Sequence, residues 1–186
     1  MPSTLTITEA LAEIKTLGKR MEKKRGTVGQ YIARNDRIRD PFEKDGGSAK
    51  VLAAEMQSLI DLETRLVRIR LAIQAANHRI EITLGGMTRT IAGWLTWRKE
   101  VAPQRQAFLA GLTNALVRMR KDAQQKGMTV GASASVTVGP DTTENITIAV
   151  DEFALMQESE TLTTVLGDLD GQLSLKNATE LITIED

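Results

Sequence analysis

Apolar residues recur at helical spacing along two long stretches of this chain, and a segment that no helix tolerates lies between them. Ile7, Leu11, Ile14, Met21, Val28 and Ile32 follow a 4-3 spacing, with Gly18 and Arg25 in the two remaining slots. Beyond the break, Leu52, Met56, Leu59, Leu62, Leu66, Ile69 and Ile73 repeat the pattern. Residues three and four apart share one face of an α-helix, so each stretch specifies an apolar stripe. A lone helix cannot bury such a stripe and needs an antiparallel neighbour or another chain. The intervening Asp40-Pro41-Phe42-Glu43-Lys44-Asp45-Gly46-Gly47 loses a backbone donor at proline and raises the entropic cost of helix at its glycines. The expectation is a long helical hairpin, with Thr8 capping a first helix that reaches about Asn35 and Ser48 capping the second.

After Asn77 the period shortens to two. Ile80, Ile82 and Leu84 alternate with charged or polar residues, as in a half-buried strand, and Gly85-Gly86 ends it. Thr88 or Thr90 then starts a third helix through Ile91, Trp94, Leu95, Val101, Phe108, Leu112, Leu116 and Met119. Pro103 lies within this pattern, either kinking one helix or opening a second; resumption of the apolar period in register favours the kink. Lys126-Gly127 is a helix stop. Val130 to Val138 and Asn145 to Val150 read as two strands of a hairpin turned at Gly139-Pro140-Asp141. Asp151 caps a fourth helix through Phe153, Met156, Thr163, Leu166, Leu169 and Leu173, and Leu181, Ile182 and Ile184 form a terminal strand. The expected fold is mainly α: an elongated antiparallel helical bundle with a small antiparallel β element gathering these strands at one end.

Charge divides the chain where the periods do not. Of 24 Lys and Arg, 23 lie at or before Lys126, with 13 Asp and Glu, so that segment carries about +10; from Gly127 onward eleven acids face Lys176 alone, about −10. The formal net charge of zero therefore hides a dipolar chain. Residues 1–126 are expected to form a basic helical body, and 127–186 an acidic β-hairpin, helix and strand packed on it. Acidic tail meets basic helices either within one chain or between subunits, and both arrangements are open.

Several chemistries are excluded by their residues. There is no cysteine, hence no disulfide or thiolate site. His78 is the single histidine and has no second imidazole partner. Asp168 and Asp170, two apart on a helix, point in different directions. Asp36, Asp40 and Asp45 lack the ligand order of a calcium loop. Gly46-Gly47 lacks the Lys-Ser/Thr of a phosphate loop; Gly85-Gly86 sits between strand and helix but lacks a third glycine. Ser133 and Ser135 lie in no nucleophile elbow. Met1-Pro2-Ser3-Thr4 lacks the basic segment and apolar run expected of a signal peptide, and no apolar run approaches the length expected of a membrane span. The expectation is a chain without enzymatic activity, cofactor or metal.

Two groups of residues suggest binding. Lys19, Arg20, Lys23, Lys24 and Arg25 form a basic band answered only by Glu22, either a solvated face or a contact surface for phosphates. With Tyr31 the lone aromatic nearby, sequence-specific stacking of bases is not expected. Trp94 and Trp97 share a helix face, as core residues or as an interface.

Glu9-Ala10-Leu11, Asn77-His78-Arg79, Gly85-Gly86 with its Thr-rich sequel, Val150-Asp151 and Asp168-Leu169-Asp170…Asn177 together resemble the bacterial DIP1984 (septicolysin-like) family. That resemblance implies long antiparallel helices and self-association, and no catalytic residue. Pro103, the Gly-Pro turn at Pro140 and Leu181–Ile184 depart from it, and no β segment here is long enough to carry a pore-forming label. The functional expectation is a noncatalytic structural subunit that self-associates and contacts other structural proteins, foremost in a bacteriophage virion as head-decoration, connector or tail-associated protein. A cytoplasmic oligomeric scaffold or adaptor and a nonspecific nucleic-acid-binding protein are the alternatives.

Overall fold

The structure, a computed structural model, describes residues 3–33, 35, 37–132 and 145–185. It is mainly α. The chain divides into two units, one from residues up to Ile80 together with Leu173 onward, the other Glu81–Gln172. Neither division falls at the charge boundary near Lys126.

In the first unit, strand β1 (Ser3–Thr6) leads into helix α1 (Ile7–Tyr31), and helix α2 (Ser48–Arg79) returns beside it. At 32 residues α2 is about 48 Å long. The hairpin is the expected one; its caps and seam are not. Thr6, not Thr8, caps α1: its hydroxyl accepts from the Glu9 backbone N–H at 3.2 Å, and Glu9 Oε2 accepts from the Thr6 backbone N–H at 2.8 Å. Ser48 is the first residue of α2 and does not cap it. Asp40 reaches across the loop instead, accepting from the Ser48 N–H at 2.9 Å and from its hydroxyl at 2.6 Å. Tyr31 meets Phe42 edge-on, with ring centroids 4.9 Å apart, between the end of α1 and the loop.

The buried face of α1 runs Ile7, Ala10, Ile14, Leu17, Met21, Lys24, Val28 and Tyr31, while Leu11 and Ile32 are exposed. Every second seam position thus lies one residue earlier than expected. Steps of three and four are both helical, so the sequence admitted either set, and the side on which α2 packs chose between them. The inward face of α2 holds Leu52, Leu59, Leu62, Leu66, Ile69, Ile73 and Ala76, but Met56 is turned outward. Lys24 and Glu55 occupy seam positions of both helices and form a 2.6 Å ion pair with side chains 27% and 28% exposed. Glu13–Arg65 at 3.0 Å and Arg25–Glu63 at 2.9 Å tie the same pair of helices. Such polar seam contacts set register more than they add stability.

Strand β6 (Leu181–Ile184) pairs antiparallel with β1, Ser3 opposite Ile184 and Thr6 opposite Leu181, and its Ile182 and Ile184 are buried. The terminal strand therefore joins the opening lead-in and not the strand that follows α2. The cap at Thr6 sits at this junction, where the Ile7 N–H also donates to the Glu180 carbonyl. Replacing Thr6 by alanine is expected to lower stability by about 1 kcal/mol, measured by urea unfolding. The two bonds from Thr6 hold the Glu9 carboxyl below its usual pKa. Its contribution is present above the ordinary glutamate range and lost as pH falls through the lowered value, so the difference between wild type and Thr6→Ala shrinks in acid.

The second unit opens with a hairpin, β2 (Glu81–Leu84) against β3 (Met87–Thr90), Thr83 opposite Thr88 with their hydroxyls 2.7 Å apart. Gly85 and Gly86 form its two-residue turn with φ of 54° and 76°, which is the backbone that favours glycine. This corrects the expected order, because the glycine pair precedes a strand and not a helix. Thr90 then caps α3 (Ile91–Thr96), its hydroxyl accepting from the Gly93 N–H at 3.1 Å. A π turn (Trp97–Val101) connects α3 to α4 (Ala102–Gln125), with the Ala102 N–H bonded to the Trp97 carbonyl. Pro103 has no N–H to offer, and the wider turn accommodates it. The helical path continues, but the π turn inserts one extra residue. The apolar face after it therefore moves from the expected Val101 and Phe108, both exposed, to the buried Ala102 and Leu109.

Strands β4 (Thr129–Ala132) and β5 (Asn145–Ile148) pair in parallel, Thr129 with Asn145 and Ala132 with Ile148. The expected antiparallel hairpin is not what these residues form, because the two strands run in the same direction. The remainder of the expected first strand, with Ala134, Val136, Val138 and the turn at Pro140, lies outside the described residues. Among the described residues the strands make three separate two-stranded sheets, not one gathered element. Asp151 caps α5 (Glu152–Thr179) as expected, accepting from the Phe153 and Ala154 N–H groups. Leu162, Val165 and Leu169 of α5 are buried, and Leu162 shares a cluster with Ala102 and Leu109; Phe153 and Met156 are exposed.

Candidate interaction surfaces

The charge asymmetry is answered inside the second unit. Arg98 pairs with Asp170 at 2.6 Å, Arg105 with Glu158, and Arg120 with Glu152. Three arginines of the basic segment thus meet three carboxylates of the acidic segment in one chain, α4 and the π turn running antiparallel to α5. These side chains are a third to two-thirds exposed, and exposed pairs contribute about 0–1 kcal/mol each. They orient the two helices, while the apolar cluster of Ala102, Leu109 and Leu162 holds them.

Trp94 is a core residue of this unit. It is completely buried, its indole N–H donates to the Ile82 carbonyl at 2.9 Å, and Arg89 lies 5.1 Å from its ring centroid. Trp97 stands perpendicular to it, centroids 5.3 Å apart, and packs half-buried on Ala102, Leu109 and Leu162. The pair locks the β2–β3 hairpin to the helices; Trp94 presents no surface to a partner.

The basic band on α1 separates into two parts. Lys24 and Arg25 are engaged with Glu55 and Glu63 of α2. Lys19, Arg20 and Lys23 are exposed and make no ion pair among the described residues. A phosphate-binding surface would rest on these three, without an aromatic beside them.

A surface absent from the expectations lies on α2. Met56, Ile60, Val67 and Leu71 are 52–58% exposed, and Ala49, Ala53 and Thr64 on the same face are exposed with them. Their spacing makes a second helical stripe, turned away from the seam with α1. The sequence carries this stripe as a second apolar series beside the seam, and Met56 fits the period of either one.

The described residues contain no group of three potential metal ligands, and no helix among them is long and apolar enough to cross a membrane. His78 is exposed in the last turn of α2. Asp170 is held by Arg98, and Asp168 is exposed. Asp36, Ser133 and Ser135 lie outside the described residues. The described residues include an open hollow of about 740 Å³ around Arg37, Arg39, Asp40 and Glu43 and another of about 420 Å³ lined by Met119, Asp122, Lys126 and Ile146. In the first, Asp40 caps α2 and Glu43 holds Arg39. Set against family models, curated proteins and solved structures, the chain matches none of them.

Proposed function

We propose that this chain is a structural subunit that works by protein–protein contact in a repeating assembly, foremost a bacteriophage virion as a head-decoration, connector or tail-associated protein. The observation that carries the reading is the outward stripe on α2. Four large apolar side chains on one helix, each more than half exposed, form a continuous patch that marks an interaction site. The resemblance to the DIP1984 family points the same way, toward self-association. Electron cryo-microscopy of particles that copurify with the protein tests the proposal: density for this chain at repeated positions is the expected result. Protein recovered only away from particles, with no ordered copies on them, overturns the virion assignment and leaves the cytoplasmic scaffold.

The exposed Lys19, Arg20 and Lys23 favour a second reading, contact with nucleic acid through phosphates. A gel shift that weakens steeply with salt is its expected result, and no shift at low salt removes it.

A further inference from the structure

We propose that two copies of this chain pair antiparallel along the outer face of α2, about a twofold axis near Thr64 and Val67. This rests on the reading of the chain as a self-associating structural subunit and names its contact. A twofold contact is self-complementary: a residue on one flank of the helix meets the same flank of the other copy, with the order reversed. On one flank of the stripe Asp61 precedes Arg68 by seven residues; on the other Glu63 precedes Arg70 by seven. Reversing the helix therefore brings acid opposite base on both flanks, and the symmetry makes each pair twice. The same register sets Ile60 against Leu71 and Thr64 against Val67 in the centre. Arg68 and Arg70 are exposed and make no ion pair within the described residues, and Asp61 holds only the Gln57 amide, at 3.0 Å. Glu63 also holds Arg25, so that flank carries two cations around one carboxylate and accepts a further acid from the partner less well; Asp61–Arg68 is the decisive pair.

The register also limits the contact. Farther out it places Lys50 near the partner's Arg79, a like-charge meeting that ends the favourable stretch. From Met56 to Ala75 the contact is about 28 Å long and, at a helix's width, covers roughly 280 Å² on each copy. Stable complexes bury about 800 Å² per partner. The pairing is accordingly weak and reversible in the free chain, and gains strength where an assembly holds copies side by side.

Sedimentation equilibrium of the full chain from micromolar to millimolar concentration tests this, with circular dichroism confirming that each variant is folded. The wild type is expected to dimerise reversibly. Ile60→Asp, at the centre, should weaken dimerisation at least about tenfold, equivalent to about 1.4 kcal/mol. Asp61→Arg and Arg68→Asp should each weaken it, while the double variant, and an equimolar mixture of the two single variants, should regain it because opposite charges again face each other. A wild type that stays monomeric throughout, a dimer indifferent to Ile60→Asp, or single variants whose mixture regains nothing each overturns the pairing. None of these outcomes bears on whether the chain is found on particles, so the contact and the virion assignment fail separately.

Discussion

Trp94→Ala is expected to destabilise the Glu81–Gln172 unit by about 3–5 kcal/mol, the usual cost of removing a fully buried large aromatic side chain. The indole is completely buried, its N–H satisfies the Ile82 carbonyl, and its ring supports Trp97 edge-on. Alanine leaves a cavity between the β2–β3 hairpin and the helices and removes the donor on which Ile82 depends. Domains of this size have about 5–15 kcal/mol of stability in total, so the change removes a large share of it. Urea unfolding followed by the fluorescence of the remaining Trp97 measures the effect. Trp94→Phe should fall between wild type and alanine, since it restores most of the volume but not the hydrogen bond. A loss below about 1 kcal/mol for alanine would show that the site collapses around the smaller residue, and that the tryptophan does not organise the unit.

A second large effect separates two isoleucines of one helix. Ile69→Ala is expected to cost about 2–5 kcal/mol, because Ile69 is completely buried in the unit that α1 and α2 build. Ile60→Ala, nine positions earlier and more than half exposed, should change the stability of the monomer by no more than about 0.5 kcal/mol. The same deletion of atoms from the same residue type then reads out location alone. Thermal and urea unfolding at low protein concentration, where self-association is absent, measures both. Equal losses at the two positions would mean that the outer face of α2 is covered within the chain, and would remove the surface on which the proposed pairing depends.

Helix content, the break between α1 and α2, the Asp151 cap and the Lys126-Gly127 stop were legible in the sequence, because each depends on residues within one or two turns of each other. The exact seams were less so. Ala10 and Leu11 both continue a helical face from Ile7, and only the position of α2 made Ala10 the buried one. An unbroken helical period sets Phe108 inward; the extra residue at Trp97–Val101 puts Leu109 there instead. Candidate surfaces suffered from the same limit. Lys24 and Arg25 look like members of a free basic band until Glu55 and Glu63, some thirty to forty residues away, are brought beside them. Trp94 is open to core or interface use, the core favoured, until Ile82 receives its N–H.

The sequence by itself determined that this chain would build long amphipathic helices with short strands between them, and that its charges would be divided between a basic and an acidic part. Periodicity, capping and charge order are local or additive properties, so they can be read along the chain. Tertiary structure alone decided which of two neighbouring faces each helix buries, which strands pair, and where the opposite charges meet. Those choices depend on long-range contacts whose partners the local pattern does not name: β6 with β1, α5 with α4, Glu55 with Lys24. What the packing left uncovered, the Met56–Leu71 stripe on α2, is for the same reason a property of the fold and not of the period.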